Sequence, residues 1–338
     1  MLRYMSTKPW QPILKQILTQ QIEAQKGLDQ FKELIKSNPK DTSILGRYSG
    51  LLYHYKAFMD LPEIIEQIQN AEPESLLIPY FTALVNLDLG FPDETVKIFN
   101  KMQAVKKELK PIEMLYKALL LRRLSRPLEA LKLIDTFLNT EEGKDDLEAL
   151  LEKIQLHLEA RQSKEALDLA NKLLKDDPKN AEFRFYKAIA LRGINETNIA
   201  ITELTILLSD ITDPKRKGLI YLERARCRPP TDLNGKLGDL DEAKKLNPNH
   251  EVDREIIISY YMGNKMEESD KLIEKLEENH NINNDYQMLL IKGSALRYIK
   301  KDYKKALEIY KRVSELAPGP LKEHFNKQIK VLEEKVKH

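Results

Sequence analysis

Residues that could support catalysis or metal binding are few and scattered in this sequence. Of the 338 residues, one is a cysteine, Cys227, and six are histidines without the paired spacing of metal ligands. Gly235-Lys236 is followed by Leu237, so it lacks the hydroxyl residue and the glycine spacing of a phosphate-binding loop. Neither G-x-G-x-x-G nor G-x-S-x-G occurs. The sequence therefore predicts no catalytic residue, no metal site and no cofactor. The histidines are His54, His157, His250, His280, His324 and His338.

Three pairs of adjacent acids could also be considered for acid–base chemistry: Glu141-Glu142, Asp145-Asp146 and Asp176-Asp177. Each pair lies next to a predicted helix end. Carboxylates are favoured at helix starts by the helix dipole. We therefore interpret them as helix-start charges.

A pattern near the C-terminus defines the elements that must position any functional side chain. Asp302 stands at an N-cap position, where its side chain would accept hydrogen bonds from the free backbone N–H groups of the helix. Ala306 and Tyr310 lie one helical turn apart on the same face. Pro318 lacks an N–H and ends the helix. This stretch predicts the second helix of a helical repeat.

The position of Ala306 recurs along the chain at intervals of 31 to 37 residues. Small residues fill most of these positions, as expected where two helices approach closely. The positions are Gly27, Ile64, Thr95, Ala130, Ala166, Ala200, Lys236, Ser269 and Ala306.

The first helix of each pair repeats as well. Tyr116-Lys117-Ala118, followed by Leu121-Arg122, recurs as Tyr186-Lys187-Ala188 with Leu191-Arg192. In both copies the small residue precedes the alanine of the second helix by 12 residues. A third copy, with Gly293 and Arg297, has an offset of 13.

The run D-Y-x-x-A-x-x-x-Y, followed by E-L-x-P, resembles the tetratricopeptide repeat, whose period is about 34 residues. The resemblance covers residues 12 to 318. It implies an all-α fold, a right-handed α-solenoid of about nine antiparallel helix pairs. Residues 1 to 11 are expected to form an N-terminal lead-in.

Two segments near the C-terminal end depart from the regular repeat. Pro229-Pro230, Asn234-Gly235 and Gly238 predict a lengthened or distorted turn around residues 227 to 238. Residues 320 to 338 predict a C-terminal helix that covers the last core, because a terminal repeat needs a solvated outer face. Its apolar stripe is Leu321, Phe325, Ile329, Leu332 and Val336.

The resemblance also implies a binding groove. In tetratricopeptide proteins one face of the first helices lines the concave side of the superhelix. Arginine can bind a carboxylate through two hydrogen bonds, so such a groove suits an extended or helical peptide that carries one. The alternative is that these arginines are solvated or pair with glutamates of the next helix. The predicted groove residues are Leu115, Leu119, Arg122, Phe185, Ile189, Arg192 and Arg297.

These features predict a non-catalytic scaffold or adaptor that binds a peptide or helix of another protein, acidic or C-terminal segments included. Two alternatives stay open: an auxiliary, non-catalytic subunit of a multi-protein enzyme complex, and a co-chaperone-like adaptor. The Lys-x-x-x-Asn of the chaperone-binding clamp is not found on a first helix. The repeats of prenyltransferase alpha subunits are rich in tryptophan, whereas Trp10 is the one tryptophan here.

The net charge and the N-terminal residues limit which partners and which compartment the sequence favours. Lysine plus arginine number 55 against 53 acids, a net charge of +2, so no global field favours nucleic acid. No apolar run approaches the roughly 18 residues that span a bilayer. Residues 1 to 22 hold basic but no acidic residues, which leaves an organellar presequence as an alternative to a cytoplasmic location. Their apolar stripe, Ile13 to Ile22, predicts the first helix instead.

Overall fold

The computed structural model describes residues 8–18, 22–104, 108–278, 280 and 282–337. All regular secondary structure within these ranges is α-helix, in 19 segments. The chain divides into two compact units, unit 1 (Met1–Asn195) and unit 2 (Glu196–His338). The predicted all-α class is confirmed. Residues 1–7 of the predicted lead-in lie outside the described ranges.

Unit 1 contains the first eleven helices. They are α1 (Gln11–Leu18), α2 (Ala24–Ser37), α3 (Thr42–His54), α4 (Leu61–Ala71), α5 (Leu77–Asp88), α6 (Pro92–Ala104), α7 (Pro111–Arg123), α8 (Pro127–Leu138), α9 (Leu147–Glu159), α10 (Ser163–Asp176) and α11 (Ala181–Gly193).

Unit 2 contains the other eight. They are α12 (Thr197–Asp210), α13 (Pro214–Cys227), α14 (Leu233–Leu246), α15 (His250–Met262), α16 (Met266–Glu277), α17 (Tyr286–Tyr298), α18 (Tyr303–Leu316) and α19 (Gly319–Lys337).

Most consecutive helices pack against each other within each unit, as in a solenoid. In chain order α1 to α18 supply nine pairs among the described residues, and α19 packs on α18 as the predicted C-terminal helix. Phe325 and Leu332 of its stripe are buried, while Leu321 and Val336 stay exposed. The solenoid of about nine pairs with a capping helix is therefore confirmed.

The recurring small position is the contact point that the sequence predicts. Lys236 is the exception: it is only partly buried, and its Nζ lies 3.1 Å from Glu255 Oε1 of α15. The fully buried members are Thr95, Ala130, Ala166, Ala200, Ser269 and Ala306.

A residue in the left-handed conformation occupies the turn inside most pairs. Gly90 (φ 86°), Ser125 (φ 58°) and Arg161 (φ 60°) hold this place in the third, fourth and fifth pairs. Lys56, Asn195, Asn264 and Lys301 do so in the second, sixth, eighth and ninth. The turn chemistry therefore repeats with the helices, mostly without glycine.

Two substitutions in this turn are expected to change the free energy of unfolding in opposite directions. Gly90→Ala is expected to lower the free energy of unfolding by about 1 kcal/mol, because alanine is strained at positive φ and nothing lies within 4 Å of the added carbon. Ser125→Gly removes such strain and should raise it, by less than about 1 kcal/mol. Urea denaturation measures both, and equal signs would contradict the account.

The seventh pair has a different turn. Pro229 and Pro230 stand where the left-handed residue would be, and the proline ring fixes φ near −65°. The predicted distortion as far as residue 238 is wrong, because Gly235 and Gly238 lie inside α14. Asp232 accepts a hydrogen bond from the Gly235 N–H (3.0 Å) and starts that helix, whose burial of Leu240 and Ala243 outweighs the low helix propensity of glycine.

Helix α3 is enclosed by the rest of unit 1. Its ten consecutive residues from 44 to 53 are all buried, as in a helix surrounded by protein. Gly46 and Gly50 let it approach α7: a Cβ on Gly46 would lie 2.9 Å from Ile112 Cγ1, and one on Gly50 would overlap the Tyr116 hydroxyl. First helices two pairs apart thus touch directly.

Candidate functional site

The predicted groove residues of α7 are largely covered. Leu115 is buried, and Leu119 is partly buried against the same apolar core. Helix α7 packs on α3, α5 and α9. An apolar floor open to a peptide is therefore not present at Leu115.

Arg122 is held by acids of the next first helix. Its Nε donates to Glu152 Oε1 at 2.5 Å, and its Nη1 donates to Glu159 Oε1 at 3.0 Å, both on α9. Burial opposes the charged guanidinium, yet these two carboxylates raise the pKa of Arg122 above its usual value. Burial also raises the pKa of Glu152, and Arg122 counteracts it. This is the alternative arrangement that the sequence left open.

The groove residues of α11 are also partly or fully buried. Phe185 is buried and meets the Tyr186 ring edge to face, with centroids 5.6 Å apart. Ile189 and Arg192 are partly buried. Because α9 packs on both α7 and α11, these residues line neighbouring helices of unit 1.

Arg297 lies in unit 2 and is buried. Its Nη1 donates to Gln328 Oε1 of α19 at 2.5 Å, and its Cζ lies 4.8 Å from the Tyr298 ring centroid. Its hydrogen bond joins the last first helix to the capping helix. That Arg122, Arg192 and Arg297 bind a partner's carboxylate stays a prediction.

Arginine contacts from one first helix to the next recur in unit 2. Arg226 of α13 donates to Glu251 of α15 at 2.8 Å. Arg254 of α15 donates to Asp285 at the start of α17 at 2.5 Å. Together with Arg122, these contacts show that arginines repeatedly link the first helices of successive pairs in this chain.

Sequence reasoning missed a buried charge cluster in unit 1. Arg47 of α3 is fully buried, and its Nη2 lies 2.6 Å from Asp146 Oδ2 while its Nη1 lies 2.6 Å from Glu148 Oε2. The guanidinium also lies over the rings of Trp10 (4.4 Å) and Phe137 (5.6 Å). The cluster ties α3 to the start of α9, 99 residues along the chain.

Asp146 combines two roles in this cluster. As the N-cap of α9 it accepts the Ala149 N–H at 2.9 Å, as its interpretation as a helix-start charge predicts. Burial raises the pKa of Asp146 to about 6, and Arg47 counteracts that rise. The carboxylate therefore holds Arg47 as well as its own helix. A basic residue inside the mostly apolar α3 was the one available signal.

An exposed apolar surface lies at the turns of the second, third and fourth pairs. Its exposed fractions are 38% for Tyr55, 92% for Met59, 57% for Leu89, 55% for Phe91 and 58% for Leu128. We call these five residues the apolar edge. Large exposed apolar patches commonly mark interaction sites.

Ion pairs show that the three turns of the apolar edge lie side by side. Asp88 at the end of α5 pairs with Lys56 of the preceding turn and with Arg123 of the following one. Arg126 lies over the Phe99 ring at 5.2 Å and pairs with Glu129. The three turns that carry the apolar edge are thus neighbours in unit 1.

The corresponding turns of other pairs differ in how much apolar surface they expose. In the fifth pair Arg161, Gln162 and Lys164 follow α9, with no exposed large apolar residue. The sixth pair exposes Ile194 (37%) and Ile199 (49%) beside its turn, and the eighth and ninth pairs expose one residue each, Met262 and Tyr298. Most pairs build the same kind of turn, and the fifth pair does so without an exposed large apolar residue, so the turn itself does not require the exposed side chains of the apolar edge.

The described residues contain no group of three or more histidine, cysteine or acidic side chains placed to hold a metal ion. His250 and His280, distant in sequence, do meet, with ring centroids 4.8 Å apart. In the part of the chain that the structure covers, no helix is both long and apolar enough to cross a membrane.

Solved structures with the same arrangement of helix pairs support the fold. A tetratricopeptide repeat protein from Parabacteroides merdae superposes with a TM-score of 0.52 at 14% identity, over 90% of this chain and 98% of that one. The tetratricopeptide prediction is confirmed at the level of fold. This chain has a tetratricopeptide-like repeat fold.

Two larger proteins share this tetratricopeptide-like fold. The Cut9–Hcn1 hetero-tetramer of the APC/C matches with a TM-score of 0.56 at 14% identity, and yeast Tom70 with 0.51 at 13%. The matches cover 96% and 100% of this chain but 63% and 66% of the matched chains, so this chain spans under two thirds of their length. No protein-family model matches the sequence, and neither does any curated protein.

Proposed function

We propose that this tetratricopeptide-like chain is a non-catalytic scaffold that binds another protein. The observation that carries the proposal is the apolar edge: five large apolar side chains, exposed on three adjacent turns, that the fold does not require. The similar structures include subunits named for an assembly, such as Cut9–Hcn1, which fits a binding role.

The apolar edge supports binding better than the predicted groove does. In unit 1, Leu115 and Phe185 are buried, and Arg122 already has two carboxylate partners. A peptide carboxylate would have to displace Glu152 and Glu159 before it reached Arg122. The edge needs no such rearrangement, because its side chains already face solvent.

Substitutions at the edge are expected to remove binding without unfolding the chain. In Met59→Ser/Phe91→Ser/Leu128→Ser, proteins from the native source that the parent chain retains should be lost, because these side chains supply exposed apolar area. Retention on immobilised chain, quantified by mass spectrometry, measures this. A helical circular dichroism spectrum confirms that the variant is folded.

The matched control is Met262→Ser, which removes an exposed methionine from a turn of unit 2. It should retain the same proteins as the parent. If the triple variant retains them too, the apolar edge is not the binding surface. If the retained set includes an enzyme's catalytic subunit, the role is that of an auxiliary subunit.

A further inference from the structure

We infer that the partner segment recognised by the apolar edge carries lysine or arginine beside apolar side chains. This inference rests on the proposed function and names the class of its partner. It follows from how the charges around the edge are paired.

Three cations on the turns that carry the apolar edge are already paired with acids. Lys56 and Arg123 share Asp88, which is itself nearly buried. Arg126 holds Glu129 through two hydrogen bonds of 2.6 Å. An incoming carboxylate would therefore compete with existing ion pairs at each of these three cations.

The acids of the apolar edge are not all neutralised. Asp60 directly follows Met59, and Asp93 lies two residues after Phe91. Both are exposed, and neither forms an ion pair with any residue that the structure describes. A partner's ammonium or guanidinium group would find a carboxylate next to the two central apolar residues.

The same charges argue against an anionic membrane. Exposed methionine, leucine and phenylalanine could enter a lipid surface, but that mode of binding relies on cations that attract anionic headgroups. Here Lys56, Arg123 and Arg126 are paired, whereas the acids beside Met59 and Phe91 are not. A basic, apolar segment of a protein fits both the apolar side chains and the carboxylates.

Two synthetic helical peptides with the same leucine pattern, one with lysines and one with glutamates on the polar face, test this on the full chain. Fluorescence anisotropy should show that the lysine peptide binds at least about tenfold more tightly, and less so at high salt. Asp60→Asn/Asp93→Asn should reduce that preference several-fold. Phe91→Ser/Leu128→Ser should abolish binding, and Met262→Ser should leave it unchanged.

Four results would overturn the inference. They are equal or reversed peptide preference, lysine-peptide binding that persists in Phe91→Ser/Leu128→Ser, preferred binding to phosphatidylserine vesicles, and self-association in sedimentation that the same variant removes. The triple variant Met59→Ser/Phe91→Ser/Leu128→Ser, called the edge variant, separates the two proposals. If it loses the native proteins but the parent chain shows no preference for the lysine peptide, the partner class is rejected and the scaffold proposal stands. Retention of native proteins by the edge variant would reject the scaffold surface itself.

Discussion

Arg47→Met is expected to lower the free energy of unfolding of unit 1 by about 3–5 kcal/mol, the range for removing one partner of a buried ion pair. The substitution leaves the buried Asp146 carboxylate without the guanidinium 2.6 Å away. It also removes the cation that lies over the Trp10 ring. Because Trp10 is the one tryptophan in the sequence, its fluorescence during urea denaturation reports on this region directly.

Two further variants separate the buried charge from general damage. Arg47→Met/Asp146→Leu should recover part of the loss, because no buried charge is left without its partner, although the N-cap of α9 is lost. Arg126→Met removes an exposed arginine from its pair with Glu129 and should change the free energy by less than about 1 kcal/mol. Equal effects of Arg47→Met and Arg126→Met would show that the cluster does not hold α3 against α9.

Gly50→Ala is expected to destabilise unit 1 by about 1–3 kcal/mol, as overpacking of a close contact does. Alanine alone would favour a helix by about 1 kcal/mol, so the loss must come from contact between helices. The added carbon would overlap the hydroxyl and ring of Tyr116, a fully buried side chain. Urea denaturation followed by Trp10 fluorescence measures the loss.

The matched control for Gly50→Ala lies in unit 2. Gly238 lies inside α14, and nothing lies within 4 Å of an added Cβ. Gly238→Ala should therefore raise the free energy of unfolding by up to about 1 kcal/mol, measured by urea denaturation followed by circular dichroism. In Gly50→Ala/Tyr116→Leu the smaller side chain should recover part of the loss. Stabilisation by Gly50→Ala would mean that α3 and α7 are not in tight contact.

The parts of the fold that sequence could predict are those with local signals. The spacing of Ala130, Ala166 and Ala200 located the second helices, because each small residue reports a contact within its own pair or with the next. Pro92 and Pro127 begin α6 and α8, where a proline's missing N–H and fixed φ suit the first helical position, so such prolines are local signals of helix starts. Repetition made these weak signals reliable.

Long-range contacts had no comparable signal. Arg47 and Asp146 are 99 residues apart, and each has an ordinary local interpretation. The Gly46-x-x-x-Gly50 spacing indicates a close helix approach but does not say that the neighbour is α7 rather than α5. The glycines of α14 predicted a turn where the structure has a helix, because burial of Leu240 and Ala243 stabilises the helix there.

Long-range contacts also explain why the structure favours a different candidate site from the one that the sequence predicts. Spacing showed that Leu115, Leu119 and Arg122 share a face, but the acids that neutralise Arg122 lie on another helix. The apolar edge was invisible in sequence, because Leu89 and Phe91 could equally have been core residues. Their exposure depends on the left-handed turn at Gly90 and on the neighbouring pairs.

One experiment compares the apolar edge with the predicted groove as the binding surface. Proteins from the native source are offered to the parent chain, to Met59→Ser/Phe91→Ser/Leu128→Ser and to Arg122→Gln/Arg192→Gln, with folding of each checked by circular dichroism. We expect the edge variant to lose the specific partner by at least about tenfold and the arginine variant to retain it within a few-fold. Loss from the arginine variant with retention by the edge variant would show that the partner binds in the concave groove and not at the apolar edge.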